Sequence, residues 1–297
     1  MKRLFILASA AIVALAACTK TEVVYTEAPA EIGFKAITGA MTKATGLGDN
    51  ADATLGVFAN FTSGGEFFGN SEFTSTDGTA WTGGKYWPLE GALDFYVYAP
   101  YVAPSENIAG LNSKVLSIKV DNKTDQTDWL YGATALVNKT KANANDIDMA
   151  VTLKHALAKV TVNVTSGTGV SNVVLNVTNT RQAGTLEVDY TTPETPSVDW
   201  SEVAVGETMN WAVTSGTPFY VVPTDQTSFA LTYTLNGVPN LTYTHSLAGA
   251  TWEAGKSYVY NVNVAPGEIT IYPTVAGWDT DLNGNTIADD DKLVPVE

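Results

Sequence analysis

The chain has 297 residues, enough for two domains of ordinary size. Its 31 acidic against 16 basic residues give a net charge of -15, which argues against a nucleic-acid partner, whose phosphates need Lys and Arg. The single cysteine, Cys18, excludes an intrachain disulfide, and abundant Val, Thr, Tyr and Trp with few helix-forming charged runs point to an all-β protein.

Lys2 and Arg3 form a positive n-region and residues 4–16 an apolar h-region, so residues 1–17 read as an export signal outside the fold. The signal ends Leu15-Ala16-Ala17-Cys18, which resembles the bacterial lipobox, where the cysteine thiol is lipidated and becomes residue one. An ordinary signal with a chance cysteine is the alternative. The position of the only cysteine at the cut favours lipidation of Cys18. Two or three acyl chains suffice for stable anchoring, and no later run is long or apolar enough to span a bilayer. Thr19 fits sorting to the outer membrane, with residues 18–30 as a lipidated tether.

Residues 31–147 read as a first β domain. Ile32 and Phe34 alternate within a strand over Glu31 to Thr38, with Lys35 inside it and Lys43 beyond. Leu55–Ala59 and Leu93–Ala99 are strands, the latter ended by Pro100 and Pro104. Gly64-Gly65 and Asp77-Gly78 are turn signals, and Asn138 to Asp146 is loop-like. From Val115 to Val120 the residues alternate, with Leu116, Ile118 and Val120 on one face, as in a half-buried strand. Trp81, Tyr86, Trp87, Tyr96, Tyr98 and Tyr101 could stack on sugar rings, but packing a sandwich core is the preferred reading.

The middle of the chain changes parity. Met149, Val151 and Leu153 are apolar at odd positions, whereas Val160, Val162 and Val164 are apolar at even ones. A strand cannot swap faces without a bulge, a bend or an end, so residues 155–159 are expected to mark the seam between two domains. A helix through His155-Ala-Leu-Ala-Lys159 is the competing reading; the Val/Thr runs on both sides favour strand.

Residues 148–297 read as a second β domain. Strands are expected over 160–164, 173–177, 185–188, 219–222, 229–235, 241–244 and 258–264, and short strands between turns suggest a sandwich. Asn236-Gly237 marks a hairpin. The run Trp252-Glu-Ala-Gly255-Lys256-Ser-Tyr258 echoes Trp81-Thr-Gly-Gly84-Lys85-Tyr-Trp87 in the pattern W-x-x-G-K-x-aromatic, as two related sandwiches could leave behind.

Motifs for chemistry are sparse. Asp279, Asp281, Asn283 and Asp290, with Gly284 between, approximate a calcium loop. Thr286 stands where an apolar residue is usual and no helices flank the loop, so an acidic surface turn is preferred and no metal is assigned. His155 and His245 are far apart, there is no G-x-S-x-G, and each reads as a structural histidine. No P-loop, HExxH or dinucleotide fingerprint is present, so neither enzymatic activity nor a cofactor is expected.

Several of these pieces occur in one order: the lipobox; Ile32-Gly33-Phe34 with Thr42-Lys43-Ala44; Gly56-Val57-Phe58-Ala59; Tyr86-Trp87-Pro88; Phe95-Tyr96-Val97-Tyr98-Ala99-Pro100; Asp128-Trp129-Leu130-Tyr131-Gly132; Leu153-Lys154-His155-Ala156-Leu157-Ala158-Lys159-Val160; Val222-Pro223; Trp252 to Tyr260; and Gly277-Trp278. The ordered set resembles the fimbrillin family, the lipoprotein pilins of Bacteroides-type bacteria.

That resemblance implies two transthyretin-like β-sandwich domains in tandem, export as a lipoprotein and assembly with other pilin subunits into surface pili that support cell adhesion. It implies a trypsin-like maturation protease that removes an N-terminal segment, with Lys35 and Lys43 as candidate cut sites, although such pilins tend to be cut after arginine. A C-terminal strand of the next subunit then fills the opened groove by strand addition. Residues 267–297 hold the donor candidates, Ile269, Ile271 and Val275 or the last residues Leu293, Val294 and Val296. The alternative is a surface-tethered lipoprotein that never polymerises and binds glycan or host protein.

Overall fold

A computed structural model describes residues 30–35, 54–76, 80–123, 126–137, 149–201, 208–223, 228–247 and 251–278. Among them the fold is all-β, as expected, with nineteen strands and no helix. The first part of the chain forms β1 (Glu31–Lys35), β2 (Thr54–Phe61), β3 (Glu66–Thr74), β4 (Ala80–Tyr86), β5 (Leu93–Ala99), β6 (Ile108–Asn112), β7 (Val115–Asp121) and β8 (Leu130–Val137). Then come β9 (Lys154–His155), β10 (Ala158–Ser166), β11 (Val170–Arg181), β12 (Ala183–Asp189), β13 (Ser197–Ser201) and β14 (Thr208–Ala212). The chain ends in β15 (Phe219–Val221), β16 (Ser228–Leu235), β17 (Val238–Ser246), β18 (Lys256–Ala265) and β19 (Glu268–Gly277).

Four sheets result. The largest runs β1-β4-β3-β2-β5-β8-β9. It curls, because an isolated parallel bridge joins Phe34 of β1 to Met149, six residues before the end of β9 at the opposite edge. Its inner face is a core of Ile32, Phe34, Val57, Phe73, Trp81, Phe95 and Val97, joined by Met149, Val151 and Leu153. A second sheet, β13-β12-β7-β6, covers the other face of β2, β5 and β8. Phe58, Tyr96 and Tyr98 point into that second core and meet Leu116, Ile118, Leu186 and Val188. β5 is therefore buried on both faces, which explains why Phe95 to Ala99 is continuously apolar; Asp94, also buried, accepts the Thr62 hydroxyl at 2.8 Å. The expected alternation in β7 is present, with Leu116, Ile118 and Val120 inward.

The remaining sheets, β15-β10-β18-β19 and β14-β11-β16-β17, enclose a third core around Val160, Val162, Phe229, Trp252 and Tyr260. One feature of the topology escapes any single cut in the sequence. β12 and β13, from the second half of the chain, complete the sheet begun by β6 and β7, with Leu186 opposite Ile118 and Val188 opposite Leu116. Tyr190, just after β12, donates its hydroxyl proton to the carbonyl of Val97 at 2.8 Å and ties this sheet to β5.

The central stretch runs through all three cores in turn. Met149, Val151 and Leu153 belong to the first, Ala156 and Leu157 to the second, and Ala158, Val160 and Val162 to the third. The parity change is a bend at Ala156-Leu157 between β9 and β10, so the residues are strand and bend and not helix. Asn236-Gly237 forms the expected two-residue hairpin turn between β16 and β17, both residues having positive φ. In the W-x-x-G-K-x-aromatic echo, Gly84 and Gly255 share a left-handed φ of 64° and 72°, and Trp81 and Trp252 are both buried, in different cores.

Candidate functional site

The site is β1 and the groove that holds it. β1 is five residues long and lies antiparallel to β4, with Phe34 opposite Trp81 and Lys35 opposite Ala80. On its other side, among the described residues, a single bridge joins it to Met149. Alternation sends Ile32 and Phe34 to the same side, and both are fully buried. The Phe34 ring packs edge-on against Phe73 and Phe95, each at 5.6 Å between centroids. The entrance is fixed by Glu31, whose Oε1 accepts the Gly84 N–H at 2.9 Å, and by Ala30, whose carbonyl accepts the Trp87 N–H at 3.0 Å.

Burying these two side chains stabilises the strand by about 3–6 kcal/mol in transfer terms. The strand is short, and among the described residues its ladder is the one to β4. In such a strand site backbone hydrogen bonds give affinity and the pockets for alternate side chains, here those of Ile32 and Phe34, give specificity.

A second cluster sits where the three cores meet. Asp128, just before β8, and His155, in β9, form a buried pair in which Nδ1 lies 2.9 Å from both carboxylate oxygens. Burial pushes the Asp128 carboxyl up from its ordinary value, against the pull of His155 and of Lys159. Burial likewise lowers Lys159, which Asp128 partly offsets. The His155 ring stacks on Trp278 at 3.8 Å and 6°, and Tyr220 stacks on Trp278 at 5.3 Å and 6°. Lys159 Nζ lies 5.6 Å from the Trp278 ring, and the Trp278 N–H donates to the Gly255 carbonyl at 2.8 Å. Gly132 supports the same junction, since a Cβ there would lie 2.3 Å from the Thr152 carbonyl oxygen. The cluster is a structural lock, and it fixes His155 as a satisfied buried histidine. Three sequence pieces far apart, Asp128 to Gly132, the segment around His155, and Gly277-Trp278, thus meet at one place.

The lock bears on the donor candidates. Ile269, Ile271 and Val275 lie on β19, an edge strand paired with β18 from Glu268 to Gly277, and are partly buried against the third core. Trp278 pins the end of that strand. Lys35 is the last residue of β1. Cys18, Lys43, Leu293, Val294, Val296 and the calcium-loop residues Asp279, Asp281, Asn283 and Asp290 lie outside the described residues. Among the described residues no three His, Cys, Asp or Glu side chains gather as metal ligands, and no helix is long and apolar enough to cross a membrane. Of the aromatics considered for sugar stacking, Trp81, Trp87, Tyr96 and Tyr98 are core residues, Tyr101 packs partly on the second core, and Tyr86 is 48% exposed. Sequence reasoning passed over Tyr272, on β19, which is 53% exposed.

Comparison with known proteins agrees with this architecture. The model of the fimbrillin-like family matches residues 42–278. A proposed cell adhesion protein from Bacteroides uniformis has the same fold, at 19% identity over 84% of this chain and 99% of its own, with a TM-score of 0.61. A second from Bacteroides ovatus superimposes over 86% of this chain and 100% of its own at 16% identity and a TM-score of 0.58. A fimbrial protein from Bacteroides vulgatus covers 84% of this chain and 99% of its own at 16% identity and a TM-score of 0.51. No curated protein sequence matches. The chain belongs to the fimbrillin-like family, a family of structural pilins and not of enzymes.

Proposed function

We propose that this member of the fimbrillin-like family is a structural pilin of surface fimbriae that serves cell adhesion, and that its subunits join by exchange of β1 for a strand of a second copy. The observation that carries the reading is β1 itself, a short strand that buries Ile32 and Phe34 completely and, among the described residues, is laddered to β4 on one side and bridged to Met149 on the other. Taking it out leaves the β4 edge unpaired and two apolar pockets empty, and both losses are repaired by one extended segment.

In this reading the two pairs of sheets are tandem transthyretin-like sandwiches, the chain is exported as a lipoprotein and held at the outer membrane through Cys18, and a trypsin-like protease frees β1. Lys43 suits the cut better than Lys35. Cleavage after Lys35 needs residues 32–35 extended in the protease, and Ile32 and Phe34 are buried. Cleavage after Lys43 leaves β1 seated until a donor displaces it.

The donor is the tail after Trp278, in which Val294 and Val296 offer apolar side chains two positions apart and Leu293 precedes them. Lending Ile269, Ile271 and Val275 instead would strip β19 from β18 and pull Trp278 from its stack. The test compares the chain from Thr19 to its end with one stopping at Trp278, each treated with trypsin, followed by N-terminal sequencing and an unboiled gel. The full chain is expected to give an oligomer ladder and the shortened one a folded monomer. A ladder from both would remove the tail as donor; a cut full chain that stays monomeric would favour the non-polymerising surface lipoprotein.

A further inference from the structure

On the outer face of the sheet β15-β10-β18-β19, three uncharged rows lie between Lys159 at one end and Glu268 at the other, and the pilin reading leaves them without a role. Val160, Val162, Tyr260, Val262 and Val264 point into the third core, so the residues between them face outward. Strand register sets these into rows: Thr161, Val259 and Thr274; Asn163, Asn261 and Tyr272; Thr165, Asn263 and Thr270. Tyr272 is 53% exposed, and Asn261, Asn263, Thr165 and Thr274 are exposed with it. Directly opposed residues on one face have Cβ atoms about 5 Å apart, which sets the Asn261 amide beside the Tyr272 ring.

The amides are oriented. Asn163 Nδ2 donates to Asn261 Oδ1 at 3.0 Å, and Thr165 Oγ1 donates to Asn263 Oδ1 at 3.2 Å. Both acceptor oxygens are thereby occupied, which leaves the Nδ2 donors of Asn261 and Asn263 to serve whatever lies on the sheet. None of the nine residues in these rows is charged, although the whole chain carries -15.

That chemistry selects its occupant. A protein drawn to an acidic chain would bring Lys and Arg, and no carboxylate in these rows would meet them. An acyl chain needs contiguous apolar surface, which the amides interrupt. A neutral sugar ring offers a C–H face to the phenol of Tyr272 and hydroxyl oxygens to the two amides. We propose that this face is a binding site for neutral oligosaccharide, with Tyr272 as the stacking residue and Asn261 and Asn263 as hydrogen-bond donors.

The test is titration of the chain from Thr19 to its end with four neutral probes, cellotetraose, maltotetraose, mannotetraose and chitotetraose, followed by saturation-transfer NMR and calorimetry. At least one probe is expected to bind. Tyr272→Ala should weaken that binding about tenfold, Tyr272→Phe should retain it, and Asn261→Ala should weaken it severalfold. Tyr86→Ala, which removes the exposed aromatic of β4, should leave it unchanged. Equal thermal midpoints for the variants keep the comparison one of binding. Failure of all four probes to bind at millimolar concentration overturns the proposal. So does binding that survives Tyr272→Ala, or binding that Tyr86→Ala weakens as much.

Discussion

At the scale of single residues, the molecule spends its polar groups on junctions. Trp278 is 3% exposed and carries two ring stacks and a main-chain hydrogen bond, so Trp278→Ala should cost about 3–5 kcal/mol in chemical denaturation. Hydrogen exchange should localise the loosening to β19, while Trp278→Phe should preserve much of the protection. Unchanged β19 exchange in the alanine variant would remove the lock. The tyrosines make a pH prediction. Burial raises Tyr98 to about 12 despite hydrogen bonds with Val102 and Asn70, and raises Tyr260 to about 12 despite its bond with Trp252. A phenol whose folded pKa lies above its unfolded value of 10.0 contributes stability that is complete below pH 10 and is lost as pH rises through 12. Tyrosinate absorbance should therefore show a late fraction that appears together with unfolding; ionisation of every tyrosine near pH 10 with the fold intact would contradict the burial. At this scale the sequence was legible as types and not as partners. His155 reads as structural from its isolation, but its pairing with Asp128, 27 residues away, follows from the β8–β9 register.

Among elements, β1 and β19 are the two whose attachment matters most. Phe34→Ala should destabilise the chain by about 3–5 kcal/mol, and by unfolding the strand it should speed trypsin cleavage after Lys35; cleavage at an unchanged rate would mean that β1 is not held by its ring contacts. Deleting everything from Glu268 would remove β19 and Trp278, so loss of polymerisation in that variant could reflect a damaged third core; stopping after Trp278 separates the two effects. The strands legible in the sequence were the alternating or continuously apolar ones, such as β5, β7 and β18. β4 was hidden because Gly83 and Gly84 give its middle no side chain to show an alternation. In the fold the Gly83 position is crowded, a Cβ there lying 2.6 Å from the Glu72 carbonyl oxygen, so glycine serves close strand approach. β13 and β14 were hidden by Ser, Asp and Asn in strands of five residues, whose pairing to β12 and β11 supplies what local propensity lacks.

For the molecule as a whole, the seam in the middle of the sequence is where three cores are stitched together, and the chain visits them in order between Met149 and Val162. Parity in the sequence revealed that seam because a change of core is a change of face. The return of β12 and β13 to complete the sheet of β6 and β7 left no such trace, since long-range pairing has no local period. In the proposed assembly β1 occupies a groove that the tail of another copy refills. Hydrogen exchange at the β4 amides tests it most directly, in chain cut with trypsin after Lys43 and separated from its N-terminal fragment. β4 is expected to lose protection when β1 leaves and to regain it on adding a peptide of residues 279–297. Protection that survives the loss of β1, or that the peptide fails to restore, would contradict it.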